Sequence, residues 1–351
     1  MRRVTTFAAA LLAGALALSA CGGSSSTESQ PADDSGSSSS SAPKSDLKVG
    51  LAYDIGGRGD QSFNDAAAAG LDKAQSELGI ESKEAEASNG EAESAKEERL
   101  NALVSAGYNP IIAVGFAYSA SVGKVAKANP DVHFAIIDDP VEGPNITNLL
   151  FAENEGSFLV GVAAALKDTK NNVGFIGGVD VPLIHKFEAG YKAGAEAAKP
   201  GIKVQVKYLS QPPDFSGFGA PDKGKTAAAG MYDAGADVIF AAAGGSGAGV
   251  FEAAKASGNL AIGVDSDQYK TADPAVQSVI MTSMLKKVDV AVFDFLKSAS
   301  QDQYTAGPKT YDLKANGVDY STSGGQVDDI KSKIDEFKAK IVSGEITVPT
   351  K

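Results

Sequence analysis

The run from Tyr53 to Asp65 holds the residue types best suited to gripping a small polar molecule. Gly56, Gly57 and Gly59 let the backbone turn tightly and approach a ligand closely. Asp54 and Asp60 accept hydrogen bonds, Asn64 both donates and accepts, and Phe63 has a flat apolar face. A phosphate cradle is excluded. The last glycine of a dinucleotide loop is missing, no Gly-Lys-Ser/Thr follows, and the acids repel phosphate. Similar chemistry recurs later. Asp138 closes an apolar run before Asp139-Pro140, and Asp265-Ser-Asp267 closes another. Buried acids need a partner, and Lys286 or Lys287 is placed to supply it. Gly244-Gly245 ends a further run, and Phe187 can face Phe63 across a cleft, with Phe116, Phe215 and Phe218 as weaker stacking candidates. Each has an ordinary alternative: Phe63 as core, Asn64 as first-turn helix residue, the acids as turn formers, the lysines as a solvated helix face.

Strands and helices alternate regularly around these residues. Apolar strands are expected at 47–53, 110–114, 133–137 and 146–151, and helices at 62–78, 91–106, 119–128 and 155–166, with Ser62 as an N-cap. The pattern then restarts. Strands at 173–176, 202–209, 237–242 and 260–264 interleave with helices at 182–198, 223–234 and 248–256. A connecting strand at 277–282, helices at 284–298 and 327–342, and a segment at 308–325 that reads as an irregular connection or a small edge strand complete the chain. Such alternation predicts an α/β protein with parallel sheets covered on both faces. Two runs predict two Rossmann-like lobes, 46–152 (completed by part of 282–351) and 153–281, joined by a hinge. Ligands of open parallel sheets bind beyond the carboxyl ends of the strands, where the acids, glycines and rings cluster. Residues 211–224, rich in Pro, Gly and Phe, read as a surface loop at the cleft rim.

The amino-terminal residues read as an export signal over 1–20. Arg2 and Arg3 precede an apolar stretch from Val4 to Ala17 that is too short for a membrane span. Leu18-Ser-Ala-Cys21 resembles a bacterial lipobox, which implies cleavage before Cys21 and lipidation of its thiol. Cys21 is the only cysteine, so no intramolecular disulfide is possible. Residues 21–45 are dominated by Ser and read as a disordered tether. The chain carries a net charge of −12. That balance disfavours nucleic acid as a partner and suits a neutral or cationic small molecule. Trp is absent, and only His133 and His185 occur, so imidazole–thiolate metal sites are not expected. No cofactor is expected either.

Taken in order, the motifs resemble basic membrane protein lipoproteins. They are Asp54-x-Gly-Gly-x-x-Asp60-x-Ser62-Phe63-Asn64 with Gly70-Leu71, Gly177-Gly178-x3-Pro182-x4-Phe187-x2-Gly190, and Tyr232-x2-Gly235-Ala-Asp237 leading to Gly244-Gly245. Ile262-Gly-Val-Asp265-Ser-Asp267-Gln268 and Thr282-Ser283-Met-Leu-Lys286 follow. The resemblance covers most of the chain beyond the tether. It implies a type I periplasmic-binding-protein fold and the ligand-binding component of an ABC importer, partnered by permease and ATPase subunits. It also implies a lipid-anchored place on the outer face of the cell membrane, and purine nucleosides as ligands. Carried over, Phe63 and Phe187 sandwich the base, and Asn64 and Asp138 bind its polar edge. Asp265 and Lys286 hold the ribose hydroxyls, while Asp54 and Gly244 line the same cleft. Rival readings are a sugar-binding lipoprotein, a nucleoside hydrolase built on clustered acids, and a surface adhesin or sensor.

Overall fold

The computed structural model describes residues 45–351 apart from Asn89. The export signal, Cys21 and nearly all of the tether lie outside the described residues. The first half of the chain forms β1 (Lys48–Ala52), α1 (Phe63–Leu78), β2 (Glu81–Ala85), α2 (Glu93–Ser105), β3 (Ile111–Ala113), α3 (Ser119–Ala128), β4 (Phe134–Ile137) and β5 (Ile146–Phe151). The second forms α4 (Glu153–Lys167), β6 (Asn172–Val179), α5 (Pro182–Ala198), β7 (Lys203–Ser210), α6 (Pro221–Asp233), β8 (Val238–Ala242), α7 (Gly247–Ser257) and β9 (Leu260–Asp265). Short helices α8 (Gln268–Thr271) and α9 (Pro274–Gln277) lead to β10 (Ile280–Lys286). Last come α10 (Val288–Ala299), β11 (Gly307–Tyr311), β12 (Val318–Tyr320) and α11 (Lys331–Val342).

These strands make two six-stranded sheets, ordered β11-β5-β4-β3-β1-β2 and β12-β10-β9-β8-β6-β7. Every pairing is parallel except β10 with β12. The central strands are buried along their whole length, as sheets covered on both faces require. Both sheets use one winding order, so β4 and β9 hold equivalent places. The chain passes between the sheets three times: from β5 to α4, from β10 to β11 by way of α10, and from β11 to β12.

Several expectations are corrected. The strand β2 is polar (Glu-Ser-Lys-Glu-Ala) and half exposed at a sheet edge, so it lacks the apolar run that announces a buried strand. The strand β10 reaches Lys286, whereas a helix was expected from residue 284. Met284 and Leu285 pair with both β9 and β12, and Lys286 pairs with β12, a tertiary fit that overrides local pattern. Residues 308–325 take the edge-strand alternative, supplying most of β11 and all of β12, each at the edge of its sheet. Pro308 is tolerated because β11 is an edge strand, where a missing N–H breaks no ladder.

Candidate functional site

One cleft collects all eight residues expected to bind a ligand: Asp54, Phe63, Asn64, Asp138, Phe187, Gly244, Asp265 and Lys286. They come from the carboxyl ends of β1, β4, β8, β9 and β10, from the first turn of α1 and from the second turn of α5. Asp60, Ile55, Phe116, Leu183, Ile184, Phe218, Ala242 and Val264 complete the wall. Asp139 and Asp267 do not line it; Asp267 turns to the hydroxyl of Ser323 and to Lys270.

The loop after β1 is built by its own side chains. Gly56, Gly57 and Gly59 all sit at positive φ, which makes the reversal possible. The Asp60 carboxylate accepts from the backbone N–H groups of Ser62 (2.9 Å), Asn64 (2.9 Å) and Asp65 (3.1 Å), and from Asn64 Nδ2 (3.0 Å). Asp60, not Ser62, therefore caps α1. Its negative charge also suits the helix N-terminus. Asn64 Oδ1 accepts from the Asp54 N–H at 3.0 Å, so both ends of this amide already brace the loop. Ser62, fully buried, instead donates from Oγ to Asp265 Oδ2 at 2.7 Å. With Ser266 Oγ on Ser62 O (3.0 Å) and Gln268 Nε2 on Gln61 O (3.0 Å), it ties the α1 loop of the first half to the β9 loop of the second.

Electrostatics in the cleft are lopsided. Asp54, Asp60, Asp138 and Asp265 face one ammonium, that of Lys286. Burial pushes the Asp54 carboxyl up to about 7, against the pull of the Ile55 N–H and Lys96. Burial likewise carries Asp265 to about 6, although Lys286 and the Ser62 hydroxyl hold it back. Asp60 is raised for the same reason. Asp138 and Asp265, equivalent in the two sheets, both adopt positive φ (73° and 64°), which is uncommon outside glycine and tends to mark functional sites.

Lys286 is buried with its partners. Its Nζ bonds Asp138 Oδ2 and lies 3.6 Å from Glu153 Oε1. It is 4.8, 5.2 and 5.7 Å from the ring centroids of Phe63, Phe151 and Phe187. Burial opposes its charge, but the Asp138, Glu153 and Asp265 carboxylates outweigh that and raise its pKa. The solvated-face alternative therefore fails for Lys286 and suits Lys287, which reaches Asn316 at the surface. Phe63 and Phe187 are brought to the same ammonium from opposite halves of the chain. Asp138 Oδ1 is buried with no hydrogen-bond partner among the described residues, an acceptor that calls for a donor.

At the rim, Phe116 meets Phe215 and Phe218 edge to face, with centroids 5.9 and 6.4 Å apart. The loop over 211–220 thus closes one side of the cleft. The glycines of the middle motif act in packing. A Cβ on Gly190 would stand 2.1 Å from Asn154 O, where α5 lies against α4. One on Gly178 would strike the Phe218 ring at 2.4 Å. Sequence reasoning missed Glu153. An acid opening a helix looks like an ordinary dipole partner, and nothing local shows that the chain crosses between sheets there.

Two matching α/β halves, with one polar and aromatic cleft where their strand ends meet, define a solute-binding protein of the type I periplasmic class. A solved ABC-transporter solute-binding protein from Aeropyrum pernix superposes with a TM-score of 0.75 at 29% identity, over 87% of this chain and 94% of that one. The chain belongs to the Bmp family, described as ABC transporter substrate-binding protein PnrA-like, whose model matches residues 47–351. Among relatives, the CD4+ T-cell-stimulating antigen of Listeria monocytogenes is 37% identical over 87% of this chain and 89% of its own. The ABC transporter nucleoside-binding protein BmpA of Lactococcus lactis is 36% identical over 88% and 90%. The family is one of substrate-binding proteins rather than enzymes. It implies a small-molecule ligand and the permease and ATPase subunits of a transporter as partners.

Proposed function

We propose that this protein captures purine nucleosides between its two lobes and presents them to an ABC permease, held to the outer face of the membrane by lipid on Cys21. The observation that carries the reading is the pairing of chemistries in one cleft. Acceptors dominate its polar part, while Phe63 and Phe187 flank the same ammonium. A nucleoside offers what this lining lacks: hydroxyl and N–H donors on one side, a flat ring on the other. Carboxylates take two hydrogen bonds from a ribose edge, and Asp138 Oδ1 is free to accept one from a base. A nucleotide would bring phosphate to four acids. In this reading Phe63 and Phe187 hold the base, Asp138 reads its edge, and Asp265 with Lys286 holds the sugar. Asp54 and Gly244 line the wall, and Asn64 contributes by shaping the loop. The name of the Lactococcus relative supports the ligand class.

The lobes would close about the three crossings, with the Ser62–Asp265 bond as a contact of the closed form. A thermal-melt series tests the ligand. Adenosine, guanosine or inosine at a hundred times its dissociation constant adds about 2.7 kcal/mol of stability, a rise of several degrees. Ribose, free base and nucleoside monophosphate should do far less. Unmoved melting with all three nucleosides at millimolar concentration would refute the proposal, and release of free base from inosine would point to a hydrolase instead. For the anchor, Cys21→Ala should release the protein from membranes; retention there would refute lipid attachment.

A further inference from the structure

We infer that Glu153 is a positioning residue for the binding cleft, holding the Lys286 ammonium in place from the floor while the lobes open and close. The ligand part of this inference rests on the nucleoside reading; the positioning part does not. Glu153 opens α4, immediately after the chain leaves the first sheet. Its side chain is 1% exposed, against 2% for Lys286 and 4% for Asp138. Its Oε1 lies 3.6 Å from Lys286 Nζ and has no hydrogen-bond partner among the described residues. The other oxygen lies 3.4 Å from Nζ of Lys186, a far more exposed side chain on α5.

The two acids nearest Lys286 differ in what they are attached to. Asp138 directly follows β4 of the first sheet, whereas Lys286 ends β10 in the second. Glu153 belongs to α4, which packs on β10 and β12 and so travels with Lys286. When the lobes part, Asp138 withdraws from the ammonium and Glu153 does not. A buried ammonium without a carboxylate close by loses its charge or its position. Asp265, at the end of β9, shares the second sheet, but its Oδ2 accepts from the Ser62 hydroxyl. The groups facing Lys286 are thus Asp138 from β4, Asp265 from β9 and Glu153 from α4, with Lys186 of α5 behind Glu153. Of the two acids on the side of β10, Glu153 is the one within ion-pair distance of the ammonium, and its Oε1 is committed to no other donor among the described residues. The helix N-terminus it occupies also favours its negative charge.

The decisive experiment is a double-mutant cycle in the full chain, with Glu153→Gln, Lys286→Met and the pair, read by urea unfolding at pH 7. Contact between the two charges predicts a coupling of about tenfold or more in the unfolding constant, the double variant losing less than the sum of the singles. Additive losses would overturn the inference, because Glu153 would then be supporting α4 or Lys186 alone. Should Glu153→Gln fail to fold, Glu153→Met, which removes the charge at similar volume, completes the cycle with the same criterion. In a second arm, inosine and 2′,3′-dideoxyinosine are titrated into wild type and Glu153→Gln. A misplaced Lys286 lowers inosine affinity about tenfold or more and leaves the dideoxy analogue nearly unaffected. Equal losses for both would overturn the ligand part. If wild type binds neither compound, the nucleoside reading fails, and the stability cycle alone decides the role of Glu153.

Discussion

Replacing Asp54 by Asn separates what the cleft does for stability from what it does for ligand. The fold opposes the charge of this carboxyl. Asp54 is buried, and its pKa climbs from 3.8 to about 7, burial outweighing the Ile55 N–H and Lys96, while Asp138 and Glu91 add to the rise. A carboxyl raised in the folded state binds its proton more tightly there than in the unfolded chain. Its contribution to stability is therefore fullest below about pH 4 and is lost as pH rises through 7. Three pKa units correspond to about 4 kcal/mol, an upper figure for one group. Asn keeps an acceptor for the Ile55 N–H, now 2.7 Å from Oδ1, and carries no charge to desolvate. The variant should match wild type near pH 4, gain on it between pH 4 and 7, and hold a constant advantage above that. Urea midpoints at unit steps from pH 4 to 8 measure the difference directly. A gap that does not change with pH, or an Asn variant less stable than wild type at pH 8, would refute the reasoning. Binding supplies a second readout. A ligand that donates to the Asp54 carboxylate lowers its pKa and expels a proton near pH 7. Calorimetry in two buffers of different ionisation heat should show that proton in wild type and not in the variant.

Three further outcomes are expected. Lys286→Met leaves Asp138, Glu153 and Asp265 buried without their cation and should destabilise the fold by about 3–5 kcal/mol at pH 7, as read from urea unfolding, with a smaller loss near pH 4, where Asp265 has taken up its proton. Phe63→Ala removes one stacking face and should weaken inosine binding by about 1–3 kcal/mol by calorimetry, with the ligand-independent unfolding midpoint little changed; unaltered affinity would take Phe63 out of the site. Gly190→Ala forces a methyl to within 2.1 Å of Asn154 O and should lower stability by about 1–3 kcal/mol by prying α5 from α4. A melting temperature equal to wild type would show that this helix pair yields more readily than its spacing suggests.

Much of the site was legible because parallel sheets concentrate chemistry at strand ends. A short apolar run followed by Asp, Gly or Phe is a local pattern, and it located Asp54, Asp138, Gly244 and Asp265 without knowledge of their neighbours. Phe63 and Phe187 followed from their places at the start of helices that must point toward those ends. What escaped was set by partners far away in the chain. The polar strand β2 exists because β1 offers it an edge. Lys286 lies on a strand because β12 pairs with it, Lys286 opposite Val318. Ser62 has the residue type of a cap, yet its hydroxyl crosses to Asp265, 203 residues away, because Asp60 had already satisfied the helix end.

By itself, then, the sequence determined the α/β alternation, its repetition, and the stock of acids, rings and glycines at the turns, since each depends on residues adjacent in the chain. The tertiary structure alone decided which carboxylate meets the one ammonium of the cleft, which acids lose their affinity for charge, and which residues sit where the chain passes between sheets. Those properties depend on distance and burial, and both arise only when the two halves are brought face to face.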